Sequence, residues 1–77
     1  MTRTEFLRAL EEALEVPPGT LDGNPKLEDL DFWDSMSALI YIALADEKLH
    51  ETVTGSQIAG CKTVEDLVRL LSRKIQD

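Results

Sequence analysis

A serine set directly behind an aspartate, at the head of a long apolar run, is the arrangement in this chain best suited to chemistry. Asp34-Ser35-Met36 leads into Ser37-Ala38-Leu39-Ile40-Tyr41-Ile42-Ala43-Leu44-Ala45, and the run ends in Asp46-Glu47-Lys48. Asp34 is a good N-cap, because its carboxylate can accept from the orphan N–H groups of a first turn and sits at the positive end of the helix dipole. Ser35 then becomes the first residue inside a helix, with its hydroxyl at the helix mouth. Helix N-termini favour attached anions, so a hydroxyl held there suits a covalently linked phosphodiester. The plainer reading is a serine that helps its own helix to start, and on the tripeptide alone that reading prevails.

Other reactive side chains assemble into nothing. His50 is the single histidine and Cys61 the single cysteine, far apart in sequence, so no metal-ligand cluster forms from them. Ser35 and His50 would stand at opposite ends of one helix, roughly 20 Å apart at about 1.5 Å per residue, which excludes a catalytic triad. His50 reads as an exposed residue interacting with a helix C-terminus. Cys61 reads as a half-buried structural thiol; alone, it forms no internal disulfide and suits a reducing compartment. Asp29, Asp31 and Asp34 lack the glycine and the closing glutamate of a calcium loop. Gly19 and Gly23 fall in turns, and there is no phosphate-binding glycine loop.

The elements that must position Ser35 are helical. A first helix is predicted from about Arg3 to Glu15, opened by a Thr2–Glu5 capping box, with Phe6, Leu7, Leu10, Ala13 and Leu14 forming its apolar stripe and Glu11 outside it. Val16-Pro17-Pro18-Gly19 stops it. Residues 20–33 form a long connection whose isolated apolar residues, Leu21, Leu27, Leu30, Phe32 and Trp33, are expected to anchor it across the helix ends. The second helix should run from Ser35 to Leu49 or His50. Leu39, Ile42, Ala45 and Leu49 are spaced to point inwards, leaving Met36, Ile40 and Ala43 on a neighbouring stripe. Either the helix is buried all round, or that stripe is a contact surface flanked by acids, which is the sharper reading. A short turn follows at Thr54–Ala59 with a second capping box, Thr54 and Gln57. Thr63-Val64-Glu65-Asp66 opens a last helix with Val64, Leu67, Val68, Leu71 and Ile75 on its core face. No strand pattern appears, so the expected fold is all-α, a small bundle of three main helices and one short one.

Seventy-seven residues make one small domain, too small for a large enclosed active site. No apolar run is long enough to span a bilayer, and the first residues lack a signal-peptide core, so a cytoplasmic setting is expected. The net charge is −7, and residues 22–51 hold eight acidic against two basic side chains. Such a surface repels nucleic acid and anionic lipid and attracts basic proteins, although charge alone equally suits a merely solvated face.

Taken in order, the helix, long loop, Asp-Ser-Met helix with an acidic end, short turn and Thr63-Val64-Glu65-Asp66-Leu67 segment resemble acyl carrier proteins, from about Arg3 to Ile75. The resemblance implies that Ser35, beside Asp34, carries 4′-phosphopantetheine donated by coenzyme A through a phosphopantetheinyl transferase. The arm's thiol would hold an acyl or aminoacyl group as a thioester and present it to acyl-activating or acyl-transferring enzymes. The protein itself would be a non-catalytic monomer. Asp31, Asp34, Asp46 and Glu47 are the acids implied for reading by basic patches on those enzymes, with Trp33, Met36 and Ile40 beside them. Leu39, Ile42, Ala45, Leu49, Val64, Leu67, Val68 and Leu71 would line the interior, where many members shelter an acyl chain.

Fatty-acid carriers usually have a glycine and a small residue before Asp-Ser-Leu, where this chain has Phe32-Trp33 and then Met36 after the serine. Ile40 stands where an acid is common. Trp-Asp-Ser-Met is similar to stand-alone specialised carriers, and Asp-Ser-Met also occurs in D-alanyl carriers of cell-wall modification. The resemblance therefore points to a specialised biosynthetic pathway and leaves the cargo open. The rival from another class is a helical interaction module without a prosthetic group, in which Ser35 would be replaceable.

Overall fold

Residues 1–76 are described here from a computed structural model, and each helix begins where the sequence supplies a side-chain cap. Helix α1 spans Arg3–Leu14, α2 Ser35–Leu49, α3 Gly55–Ala59 and α4 Val64–Arg69, with a single 3-10 turn at Leu27–Asp29. Thr2 with Glu5, Thr54 with Gln57, and Thr63 with Asp66 each form a reciprocal capping box, and Asp34 caps α2. Each box satisfies two N–H groups that the helix itself leaves orphaned. Helix α1 ends on Glu15 and α2 on His50, both in the left-handed region at φ 61° and 54°.

The core gathers around Tyr41. Its ring meets Phe6 of α1 edge to face, centroids 6.0 Å apart, and its hydroxyl donates to the Leu67 carbonyl of α4 at 2.6 Å. One side chain of α2 therefore ties three helices together. Leu10, Leu21, Val64, Leu67 and Leu71 close around it, all fully buried. Among the described residues, strand-like pairing is confined to two isolated bridges. One joins Lys26 to Thr63, reinforced by Leu27 N–H donating to the Lys62 carbonyl at 2.9 Å and Val64 N–H to that of Pro25 at 3.1 Å. The other joins Thr2 to Gln76, beside an Arg3–Glu65 ion pair.

Three features depart from the periodicity. The buried face of α2 is Ser37, Tyr41, Leu44, Ala45 and Leu49, whereas Leu39, expected inside, is 59% exposed. An almost wholly apolar helix lets its period fit more than one face. Tyr41 fixes the choice, because its phenol finds a carbonyl and its ring an aromatic partner. Glu11, expected outside the stripe, is 1% exposed, while Ala13 faces solvent. The last helix ends at Arg69; beyond it, i→i+3 bonds from Leu71 to Val68, Ser72 to Arg69 and Lys74 to Leu71 carry the chain on. They still deliver Leu71 into the core and Ile75 against it.

Glu11 organises the long loop. Its carboxylate accepts from the backbone N–H of Gly19 at 3.0 Å and of Leu21 at 2.8 Å, and from Arg8 Nη1 at 2.6 Å. Arg8 Nη2 in turn donates to both carboxylate oxygens of Asp22, at 2.8 and 2.6 Å. A buried charge is tolerated only when its lone pairs are occupied, and here three donors converge on it. Leu21 and Leu27 then plug into the core, and Leu30, Phe32 and Trp33 pack against it, as their spacing suggests.

Candidate functional site

The head of α2 holds two serines with opposite fates. Ser37 is 5% exposed; its hydroxyl donates to the Phe32 carbonyl at 2.7 Å and lies 3.2 Å from Asp34 Oδ1. Ser35, two residues earlier, faces solvent, and its hydroxyl makes no hydrogen bond among the described residues. Asp34, in extended conformation, accepts from Ser37 N–H at 3.0 Å. That backbone hydrogen bond holds the Asp34 carboxyl below its ordinary pKa, so the cap is ionised at neutral pH. The helix mouth thus has its cap satisfied from one side, while an unengaged hydroxyl stands on the other.

Behind Ser35 runs an open groove of about 560 Å³ between α2, α3 and the 3-10 turn. Trp33, Asp34 and Ser35 form its mouth, Ala38, Leu39 and Ile42 one wall, and Gly55, Ile58, Ala59, Cys61 and Leu27 the other. Leu39 and Ile42 therefore face this groove. Ala45, Leu49, Val64, Leu67, Val68 and Leu71 belong to the closed core, as the spacing implies. Cys61 is half-buried with its thiol 3.5 Å from the Gln57 carbonyl, and burial raises its pKa. His50 is exposed at the end of α2.

Such an arrangement offers an accessible primary alcohol for esterification, at a helix N-terminus that favours an attached phosphate, with apolar surface leading away from it. These residues fit a phosphodiester-linked arm. A family model for the phosphopantetheine attachment site matches residues 6–71, which takes in α1 from Phe6 onward and the whole of α2, α3 and α4. The chain belongs to this family. No curated protein and no solved structure gave a significant match. Carriers of the family bear 4′-phosphopantetheine covalently, work with phosphopantetheinyl transferases and acyl-handling enzymes, and are in general non-catalytic.

The structure spreads the remaining sequence-predicted residues over one side of α2 and its approach. Asp31, Met36, Asp46 and Glu47 are exposed, and Trp33 and Ile40 are half-buried. Met36 is 62% exposed and, with Leu39, makes the apolar edge beside Ser35. Asp46 and Glu47 lie in the last turn of α2, where acids oppose the dipole and Lys48 Nζ approaches Glu47 at only 3.8 Å. Among the described residues, no helix is long and apolar enough to cross a membrane. The sequence reading missed the roles of Ser37, Glu11, Ile58 and Ala59. Glu11 left a signal, since it stands four residues after Leu7 and three before Leu14, on one face with both.

Proposed function

We propose that this chain is a non-enzymatic carrier, one domain over residues 1–77, that bears its phosphopantetheine on Ser35 and works in the cytoplasm, where coenzyme A is available. The observation that supports it best is the exposed, unengaged Ser35 hydroxyl at the capped start of α2, opening onto an apolar groove. When attached, the arm supplies a terminal thiol that holds an acyl group as a thioester. The chain's own residues do the rest: Asp34 and Ser37 fix the helix mouth so that Ser35 points outward. Leu39, Ile42, Ile58 and Ala59 offer apolar surface on which an arm or its cargo can rest.

Asp31, Asp34, Asp46 and Glu47 are the acids offered to basic enzyme surfaces, and Trp33, Met36 and Ile40 supply the apolar part of the contact. Phe32-Trp33 and Ile40 support a dedicated biosynthetic pathway, because a half-buried indole forms part of the groove's mouth and a half-buried aliphatic side chain stands where the resemblance leads one to expect an acid. The test is incubation with coenzyme A and a broad-specificity phosphopantetheinyl transferase, read by intact mass. Wild type should gain one phosphopantetheine and Ser35→Ala none. A wild type that stays unmodified with several transferases would leave a helical interaction module in place of a carrier.

A further inference from the structure

Among the residues that line the groove behind Ser35, none is Lys, Arg or His. The lining side chains able to donate a hydrogen bond are those of Trp33, Ser35 and Cys61. The Ser35 hydroxyl gives up its proton when esterified, and the Cys61 thiol lies 3.5 Å from the Gln57 carbonyl. That leaves the indole N–H of Trp33. It donates to no group among the described residues. Since no side-chain nitrogen or oxygen among them is both buried and unpartnered, this N–H is open to solvent.

Trp33 is held at the groove's mouth on both sides of its backbone. Its own N–H donates to the Leu30 carbonyl at 3.0 Å, and the Phe32 carbonyl just before it accepts from the Ser37 hydroxyl at 2.7 Å. The ring packs against the core. Ser35 follows two residues later, so the two Cα atoms lie at most about 7 Å apart. An indole and a seryl phosphodiester together can span that interval.

A phosphodiester on Ser35 is short of donors. It carries one negative charge beside the Asp34 carboxylate, in a chain whose net charge is −7. The dipole of α2 favours it, yet the Ser37 N–H is already spent on Asp34 at 3.0 Å. No cation of the groove offsets it. Hydrogen bonds to ionised oxygens are about twice as strong as those between neutral groups, so a free N–H beside the ester is drawn to it.

We propose, resting on the carrier reading above, that the Trp33 indole N–H donates to a phosphate oxygen of the arm on Ser35 and so sets the direction in which the arm leaves α2. The N–H holds the phosphate while the ring flanks the carbons that follow it. Trp33 thereby orients the arm and touches no atom of the thioester.

The chain has one tryptophan, and the loaded protein has one phosphorus, so each partner gives a resonance of its own. Wild type and Trp33→Phe are loaded with coenzyme A and a phosphopantetheinyl transferase, and attachment is read separately by intact mass. On attachment the wild-type indole N–H proton should move downfield. Its exchange with water should slow about three- to tenfold, the factor a net hydrogen bond supplies. Trp33→Phe keeps an aromatic ring and removes the donor, so its phosphorus resonance should differ from that of loaded wild type. An indole that only caps the core would produce neither effect. An indole resonance unmoved by attachment, or a phosphorus resonance common to both loaded proteins, would overturn the proposal and leave the carrier reading standing. If Trp33→Phe fails to fold, the wild-type indole shift and exchange rate decide alone. A wild type that gains no mass would overturn the carrier reading and this proposal with it.

Discussion

The Ser37 hydroxyl donates to the Phe32 carbonyl at 2.7 Å, which folds the approach to α2 back onto its own first turn. This bond separates the two serines of that turn experimentally. Ser37→Ala should cost about 1 kcal/mol in urea unfolding, because it leaves a carbonyl without its donor. It should still accept one phosphopantetheine by intact mass. Ser35→Ala should unfold like wild type and accept none, since its hydroxyl supports no other group among the described residues.

The loop that precedes the site depends on a single carboxylate. Glu11→Ala would strand the N–H groups of Gly19 and Leu21 and release Arg8, for a loss of about 3 kcal/mol or more. Amide hydrogen exchange at Gly19 and Leu21 should accelerate more than that at Leu44 and Ala45 in α2. Uniform acceleration would mean that Glu11 stabilises the bundle as a whole and has no special hold on the loop.

These two sites mark how far the sequence could be read. Caps were legible to the residue, because Thr2, Asp34, Thr54 and Thr63 each act within their own turn. The boundaries of α1 and α2 followed from them and from Pro17. The face of α2 was not legible, since nearly every residue from Ala38 to Ala45 is apolar and only the contact of Tyr41 with Leu67 and Phe6 decides the rotation. That one rotation moves Leu39 from the interior to the groove beside Ser35. For Glu11 the burial was legible in its spacing from Leu7 and Leu14, but its partners were not: its donors come from Arg8 and from a loop whose path is set by tertiary packing, to which helical spacing is blind.

Tyr41 makes stability fall in alkali. Burial pushes its phenol well above the ordinary value of 10.0, so the folded state keeps a proton that the unfolded chain gives up. Stability from this group is complete below about pH 10 and declines as pH rises further, because there the unfolded chain binds fewer protons. Burial of Cys61 adds a fall of the same sign from its ordinary value of 9.0. Tyr41→Phe should cost about 1 kcal/mol at pH 7 through the lost bond to Leu67 and should flatten the decline above pH 10. Urea midpoints measured from pH 7 to 11 for both proteins give the comparison, and parallel curves would assign the alkaline loss elsewhere.

Asp46 and Glu47 allow a prediction in which stability and recognition move in opposite directions. Both lie exposed in the last turn of α2, at the negative end of the dipole, in a chain already at −7. Acids there destabilise a helix by about 0.3–1 kcal/mol each, so the fold gives no reason for them. A basic partner does. From Asp46 back to Ser35 the helix rises roughly 17 Å, at about 1.5 Å per residue, which a docking enzyme can span while its catalytic groups reach the serine. Reversal to Asp46→Lys/Glu47→Lys should therefore raise the melting temperature and slow transferase loading of Ser35, with helical content unchanged by circular dichroism. Wild-type loading should also slow as ionic strength rises from about 0.05 to 0.5 M, because the Debye length then shrinks to about a third. The reversed variant should lose most of that salt dependence. A variant that melts higher yet loads at the wild-type rate would confine these acids to a solvated face and move recognition to Asp31, Met36 and the groove's edge.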